Sequence, residues 1–120
     1  MSLTDILHEA VERVSGAQLA GVIGTDGLGV EMIMADADPP YDRDNAEIEL
    51  ATLASSATLA AGRLGSGVVH DIIVEADKLT YLASLITPGY YAILGVKPNG
   101  NLGRARFAVH QMVSRLQNEL

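Results

Sequence analysis

The chain has 120 residues, a length that fits one domain around one core. Its formal charge is -7, and its few Lys and Arg residues do not form a patch interleaved with aromatics, which excludes a nucleic-acid phosphate backbone as a partner. Cysteine is absent, which removes disulfides, thiolate chemistry and cysteine-held zinc; no apolar run approaches the roughly 18 residues that span a bilayer.

Ser2 stands three residues before Asp5, the spacing of a capping box, and Leu3, Ile6, Leu7, Ala10, Val11 and Val14 follow at helical spacing. A first helix with one apolar stripe is predicted, ending at Gly16. The start Met1 to Asp5 has no basic signal-peptide region, so a cytoplasmic location is expected.

Two strands, Gln18 to Gly24 and Gly29 to Met34, flank Thr25-Asp26-Gly27, a strong short-range hairpin signal. Leu19, Ala20, Val22 and Ile23 place apolar side chains on both faces, so a sheet covered on both sides is expected. An acidic loop with Pro39-Pro40 leads to a long helix over Asn45 to Leu64, stopped by Gly65. Strands follow at Val68 to Glu75, Leu79 to Thr87 and Tyr90 to Val96, with turns at Ala76-Asp77-Lys78 and Pro88-Gly89. A last helix from about Leu102 buries Ala105, Ala108, Val109, Met112, Val113 and Leu116. Phe107 falls off that stripe and is expected to cap a sheet edge, with an exposed contact as the alternative. Tyr90 and Tyr91 point to opposite faces, so at least one belongs to the core.

From Leu50 to Gly62 the middle helix carries no charge, whereas a helix lying on a sheet normally keeps a charged outer face. On a 100° projection Ala46, Leu50, Leu53, Ala57, Ala60, Ala61 and Leu64 form the stripe expected on the sheet. Ile48, Ala51, Thr52, Ser55, Leu59 and Gly62 form a second small or apolar side. An alanine-rich helix with a solvated Ser/Thr face is the plain alternative, but it would leave Ile48 and Leu59 exposed together. A symmetric pair of chains hides such a face with a single patch, so a homodimer is expected.

The run Leu19-Ala20-Gly21-Val22-Ile23-Gly24-Thr25-Asp26-Gly27, the helix Leu50 to Gly62 and the strand Tyr90-Tyr91-Ala92-Ile93-Leu94-Gly95-Val96 before an amphipathic helix resemble the Roadblock/dynein light-chain family, in particular its bacterial members. The resemblance covers nearly the whole chain. It implies a single domain over residues 1–120: an α/β (α+β) three-layer sandwich with a five-stranded antiparallel sheet in the order 2-1-5-4-3. The central helix would lie on one face and the terminal helices on the other. It also implies a dimer joined through the central helices and third strands, which adds Val68, His70 and Ile72 to the interface. As function it implies a non-catalytic regulator or adaptor that binds a small Ras-like GTPase. Val68, Val69, Ile72, Ile73 and Val74 agree, because an apolar edge strand is an aggregation liability unless a second copy pairs with it.

Other chemistry is outweighed. Asp36, Asp38, Asp42, Asp44 and Glu47 imitate a calcium loop, but Pro40 and Tyr41 stand where a ligand and a glycine are needed. Gly24 to Gly29 has no following Lys-Ser/Thr, and Asn99-Gly100-Asn101-Leu102-Gly103 reads better as a strand-to-helix connection than as an anion site. His70-Asp71 reads as a surface or register feature, and His8, His70 and His110 lie on separate elements, so neither a metal nor a catalytic site is predicted, and no cofactor. Beside the GTPase-binding dimer stand two alternatives, a profilin-like domain that senses a small ligand and a purely structural dimeric scaffold.

Overall fold

The computed structural model describes residues 2–37, 39, 41–98 and 101–120. Helix α1, Leu3–Arg13, begins with the predicted capping box: Ser2 Oγ accepts from the Asp5 amide at 3.2 Å, and the Asp5 carboxylate accepts from the Ser2 amide at 3.3 Å. Strands β1, Ala17–Gly24, and β2, Gly29–Met34, follow, joined by a turn in which Leu28 N donates to Asp26 Oδ1 at 3.1 Å. Gly27 adopts φ 90° there, a conformation in which a Cβ would be strained.

Helix α2 runs Arg43–Arg63. The cap is Asp42, whose carboxylate accepts from Asp44 N at 3.1 Å, so the helix begins before the expected Asn45. Strands β3, Asp71–Glu75, β4, Thr80–Thr87, and β5, Tyr90–Val96, form the meander, and α3, Leu102–Leu116, closes the chain. Residues 68–70, read from their valines as strand, lie outside β3. The register with β4 begins at Asp71 opposite Ser84; the His70 carbonyl just before it still accepts from Leu85 N at 2.8 Å, but Val68 and Val69 have no register partner on β4.

The sheet is antiparallel throughout, in the order β2-β1-β5-β4-β3. Its faces carry separate cores. On one, α1 and α3 cover Ala20, Val22, Leu82, Ala92 and Leu94; on the other, α2 covers Leu19, Ile23, Met32, Tyr91 and Ile93. β1 is buried almost from end to end, as expected of a strand covered on both sides. Gly21 within it allows close packing: a Cβ there would lie 2.7 Å from the Glu31 carbonyl. Gly95 likewise leaves room for Leu19, whose Cγ would be 2.8 Å from an added Cβ.

Candidate functional site

The surface of interest grows from the way α2 sits on the sheet. It packs chiefly over β1 and β2. Leu50, Ala51 and Ala54 are its buried residues, while Leu53 and Ala57 are half-buried. On the opposite side Ile48 is 55% and Leu59 54% exposed, with Thr52 exposed between them. Thr52 Oγ1 donates to the Ile48 carbonyl at 2.8 Å, so the hydroxyl is satisfied within the helix and adds little polarity to the patch.

Two assignments of the projection are corrected. Ala51, placed on the outer side, is fully buried against the sheet, and Ser55 beside it is half-buried. Ala60 and Leu64, placed on the sheet, are exposed, Leu64 to 81%. An ideal projection treats every turn as equally covered, whereas the last turns of α2 have little sheet beneath them. Gly62 is exposed, and an added Cβ there would meet nothing within 4 Å.

The apolar surface continues past the helix. Val68 is 69% exposed, His70 is exposed, and Ile72 is half-buried on the α2 side of β3, which is the sheet edge. Beside α2 lies an open groove of about 520 Å³ lined by Tyr41, Leu50, Leu53, Val74 and Tyr81. Burial pushes the Tyr41 hydroxyl above its usual range, helped by Tyr81 and Asp36. Tyr91 is the core member of the tyrosine pair and Tyr90 the exposed one; the Tyr91 hydroxyl donates to the Val69 carbonyl at 2.6 Å and so anchors the segment leading into β3.

The α3 side holds a polar junction that the sequence did not reveal. Asp71 meets not His70 but His110, whose Nε2 lies 3.1 and 3.2 Å from the two carboxylate oxygens. Ser84 Oγ donates to Asp71 at 2.7 Å and Arg106 stands 3.6 Å away. Burial would raise the Asp71 carboxyl, but the hydrogen bonds from Ser84 and His110, with the His110 and Arg106 charges, hold it below the ordinary carboxylate range. Glu9 is likewise held low by the hydrogen bond from Arg115 at 2.6 Å and by the charges of Arg115 and Arg13. Phe107 caps no sheet edge; it is 63% exposed. No local pattern links Asp71 to His110, because 39 residues separate them and only the packing of α3 on β4 brings them together.

The set-aside motifs have structural uses. Asp42 caps α2, Gly24 to Gly29 is the hairpin, and Asn101 caps α3 by accepting from Arg104 N at 3.1 Å. Asp38, Pro40, Asn99 and Gly100 lie outside the described residues. Among the described residues no three His, Asp or Glu side chains are grouped to hold a metal, and no helix is long and apolar enough to cross a membrane.

Five antiparallel strands in this order, with α2 on one face and α1 and α3 on the other, make a fold that is shared with a solved Roadblock/LC7 domain. No family model and no curated protein matches the sequence. Solved structures do. MglC from Myxococcus xanthus is 29% identical, with 100% of both chains covered and a TM-score of 0.70. A Roadblock/LC7 domain from Streptomyces avermitilis is 20% identical over 98% of this chain and 97% of its own, with a TM-score of 0.77. Myxococcus xanthus MglB, 10% identical over 97% and 92% of the two chains, superposes with a TM-score of 0.82. The resemblance to the Roadblock family and its bacterial members read from the sequence is thus matched in three dimensions, the last two structures bearing on the fold alone.

Proposed function

We propose that this chain is a non-catalytic, single-domain regulatory or adaptor protein of the cytoplasm that works as a homodimer and binds a small Ras-like GTPase. The observation that carries the reading is the outer side of α2, where Ile48 and Leu59 are both more than half exposed, with Leu64 and Val68 exposed beyond it before the edge strand β3. Large aliphatic side chains left exposed on one side of a helix mark an interaction site, and a two-fold pair would cover them with one patch on each copy. The groove beside α2 is open to solvent over Val74 of β3 and Tyr81 of β4, so no element of the same copy covers that side of the helix. The proposed interface comprises Ile48, Thr52, Ser55, Leu59, Gly62, Val68, His70 and Ile72, with Ala51 turned inward as its backing. One similar structure, at 16% identity and a TM-score of 0.80, is described as MglB with a tetrameric arrangement, which supports self-association. The likeness to MglB, MglC and Roadblock/LC7 domains supports the regulatory or adaptor role.

A small-ligand domain would need inward polar groups, and the buried polar side chains among the described residues are Thr80 and Ser84, the latter bonded to Asp71. The test is light scattering on the chain alone and on its mixture with a Ras-like GTPase loaded with GDP or a non-hydrolysable GTP analogue. A dimer, and a complex that depends on the nucleotide, are expected. A monomer at high concentration, or indifference to the nucleotide, defeats the reading. GTP turnover with and without the chain separates a regulator from a passive scaffold.

A further inference from the structure

Charge is segregated along the chain. From Lys78 to Asn118 the sequence holds five of its eight Lys and Arg residues and none of its fifteen Asp and Glu residues. Much of this positive charge lies on α3, where Arg104, Phe107 and Gln111 share the outward side with Arg106 and His110 at its margin. The sole phenylalanine of the chain therefore sits exposed between two arginines. Among the described residues the Arg104 guanidinium has no ion pair, while Arg13 and Arg115 are both engaged by Glu9. Beside Phe107 a groove of about 580 Å³ runs between the end of α1 and the start of α3. Val96, Ala105 and Ala108 contribute apolar lining, Arg104 supplies positive charge beside the Glu9-paired Arg13, and no carboxylate lines it.

We propose that this outer face of α3, with the groove at its N-terminal end, is a second docking surface that takes an acidic segment of another protein carrying an apolar side chain to pack on Phe107. An exposed aromatic flanked by arginines is the residue mixture enriched at interface hot spots. A carboxylate-bearing partner complements Arg104 directly, because no neighbouring acid competes for it. A second copy of the chain is a weaker candidate: two copies of net charge -7 repel overall, and a head-to-tail contact added to a two-fold dimer would have to close into a ring or run on into open filaments. An anionic membrane fits poorly too, since lipid-binding clusters hold roughly 4–8 Lys or Arg whereas this face offers two that are not fully neutralised. The surface lies across the sheet from α2, so it stands apart from the proposed dimer face and is tested separately from it.

The experiment is a fluorescence-anisotropy titration of the full chain against a labelled helical peptide of Glu and Leu at i, i+4 spacing, and against the same peptide with Lys for Glu. The acidic peptide is expected to bind, more weakly as salt rises, and the basic one not to bind. Phe107→Ala should weaken binding roughly tenfold and Arg104→Glu by more. Arg63→Gln, which removes one positive charge at the end of α2, should leave binding unchanged. Both sites are exposed, and circular dichroism confirms that each variant folds. Equal binding of the two peptides, or an affinity that survives Phe107→Ala and Arg104→Glu, overturns the proposal. So does Phe107-dependent binding to phosphatidylserine vesicles without binding to the acidic peptide, which would make the ligand lipid. Phe107-dependent growth beyond the dimer would make it a second copy.

Discussion

Asp71 ties three elements together from the first position of β3, through Ser84 on β4 and through His110 and Arg106 on α3. Because its carboxyl is held below the ordinary range in the folded chain, its stabilisation is fully present above the unfolded value, about 3.9, and is lost as pH falls through the folded value. Asp71→Asn removes the charge and most of this linkage. At pH 7 the variant should be less stable by roughly 1 kcal/mol, at the low end for a charged hydrogen bond because the carboxylate is partly exposed. Thermal melts at pH 7, 5 and 3.5 test this. The wild type should lose stability between the last two pH values more steeply than the variant, and parallel losses would show that Asp71 is not the linked group.

At the scale of elements, α2 decides how the molecule presents itself. Its outer side joins two half-exposed aliphatics through a self-satisfied threonine, a surface suited to a dry contact and costly to leave in water. Leu59→Asp puts a carboxylate in the middle of that contact, where it would be buried without a partner. Dimer dissociation should strengthen a hundredfold or more, read as a shift of mass toward the monomer on dilution, while circular dichroism stays unchanged because Leu59 is exposed in the single chain. A variant that dimerises like the wild type would place the interface elsewhere.

The sequence revealed this feature because a charge-free run from Leu50 to Gly62 is visible without any tertiary knowledge. It also revealed the capping box at Ser2, the hairpin at Asp26-Gly27 and the bounds of β5, all of which are local signals. What it misplaced depends on distant partners. Ala51 and Leu64 exchanged sides because the support beneath α2 is uneven, Val68 to His70 stayed outside β3 because its β4 ladder begins at Asp71, and Asp71 found His110 only through the packing of α3.

At the scale of the whole molecule the two faces of the sheet are unequally covered. α1 and α3 together bury Ile6, Leu7, Val109, Met112 and Leu116, whereas α2, the longest helix at 21 residues, buries only Leu50 and two alanines. With 48% hydrophobic and 19% charged residues, the chain has apolar surface to spare on the α2 side, and a second copy would complete that layer. In the proposed dimer folding would be coupled to pairing, and stability would depend on concentration. Each tenfold rise in protein favours the pair by about 1.4 kcal/mol, or roughly 0.7 per chain, which for a domain of this size moves the midpoint by about 2–4 °C. Melts over a hundredfold range of concentration should show that slope. Phe107→Ala should keep it, because Phe107 lies across the sheet, and Leu59→Asp should abolish it. A midpoint independent of concentration in the wild type would mean that one copy is already the complete folded unit and that the exposed stripe of α2 serves a different protein.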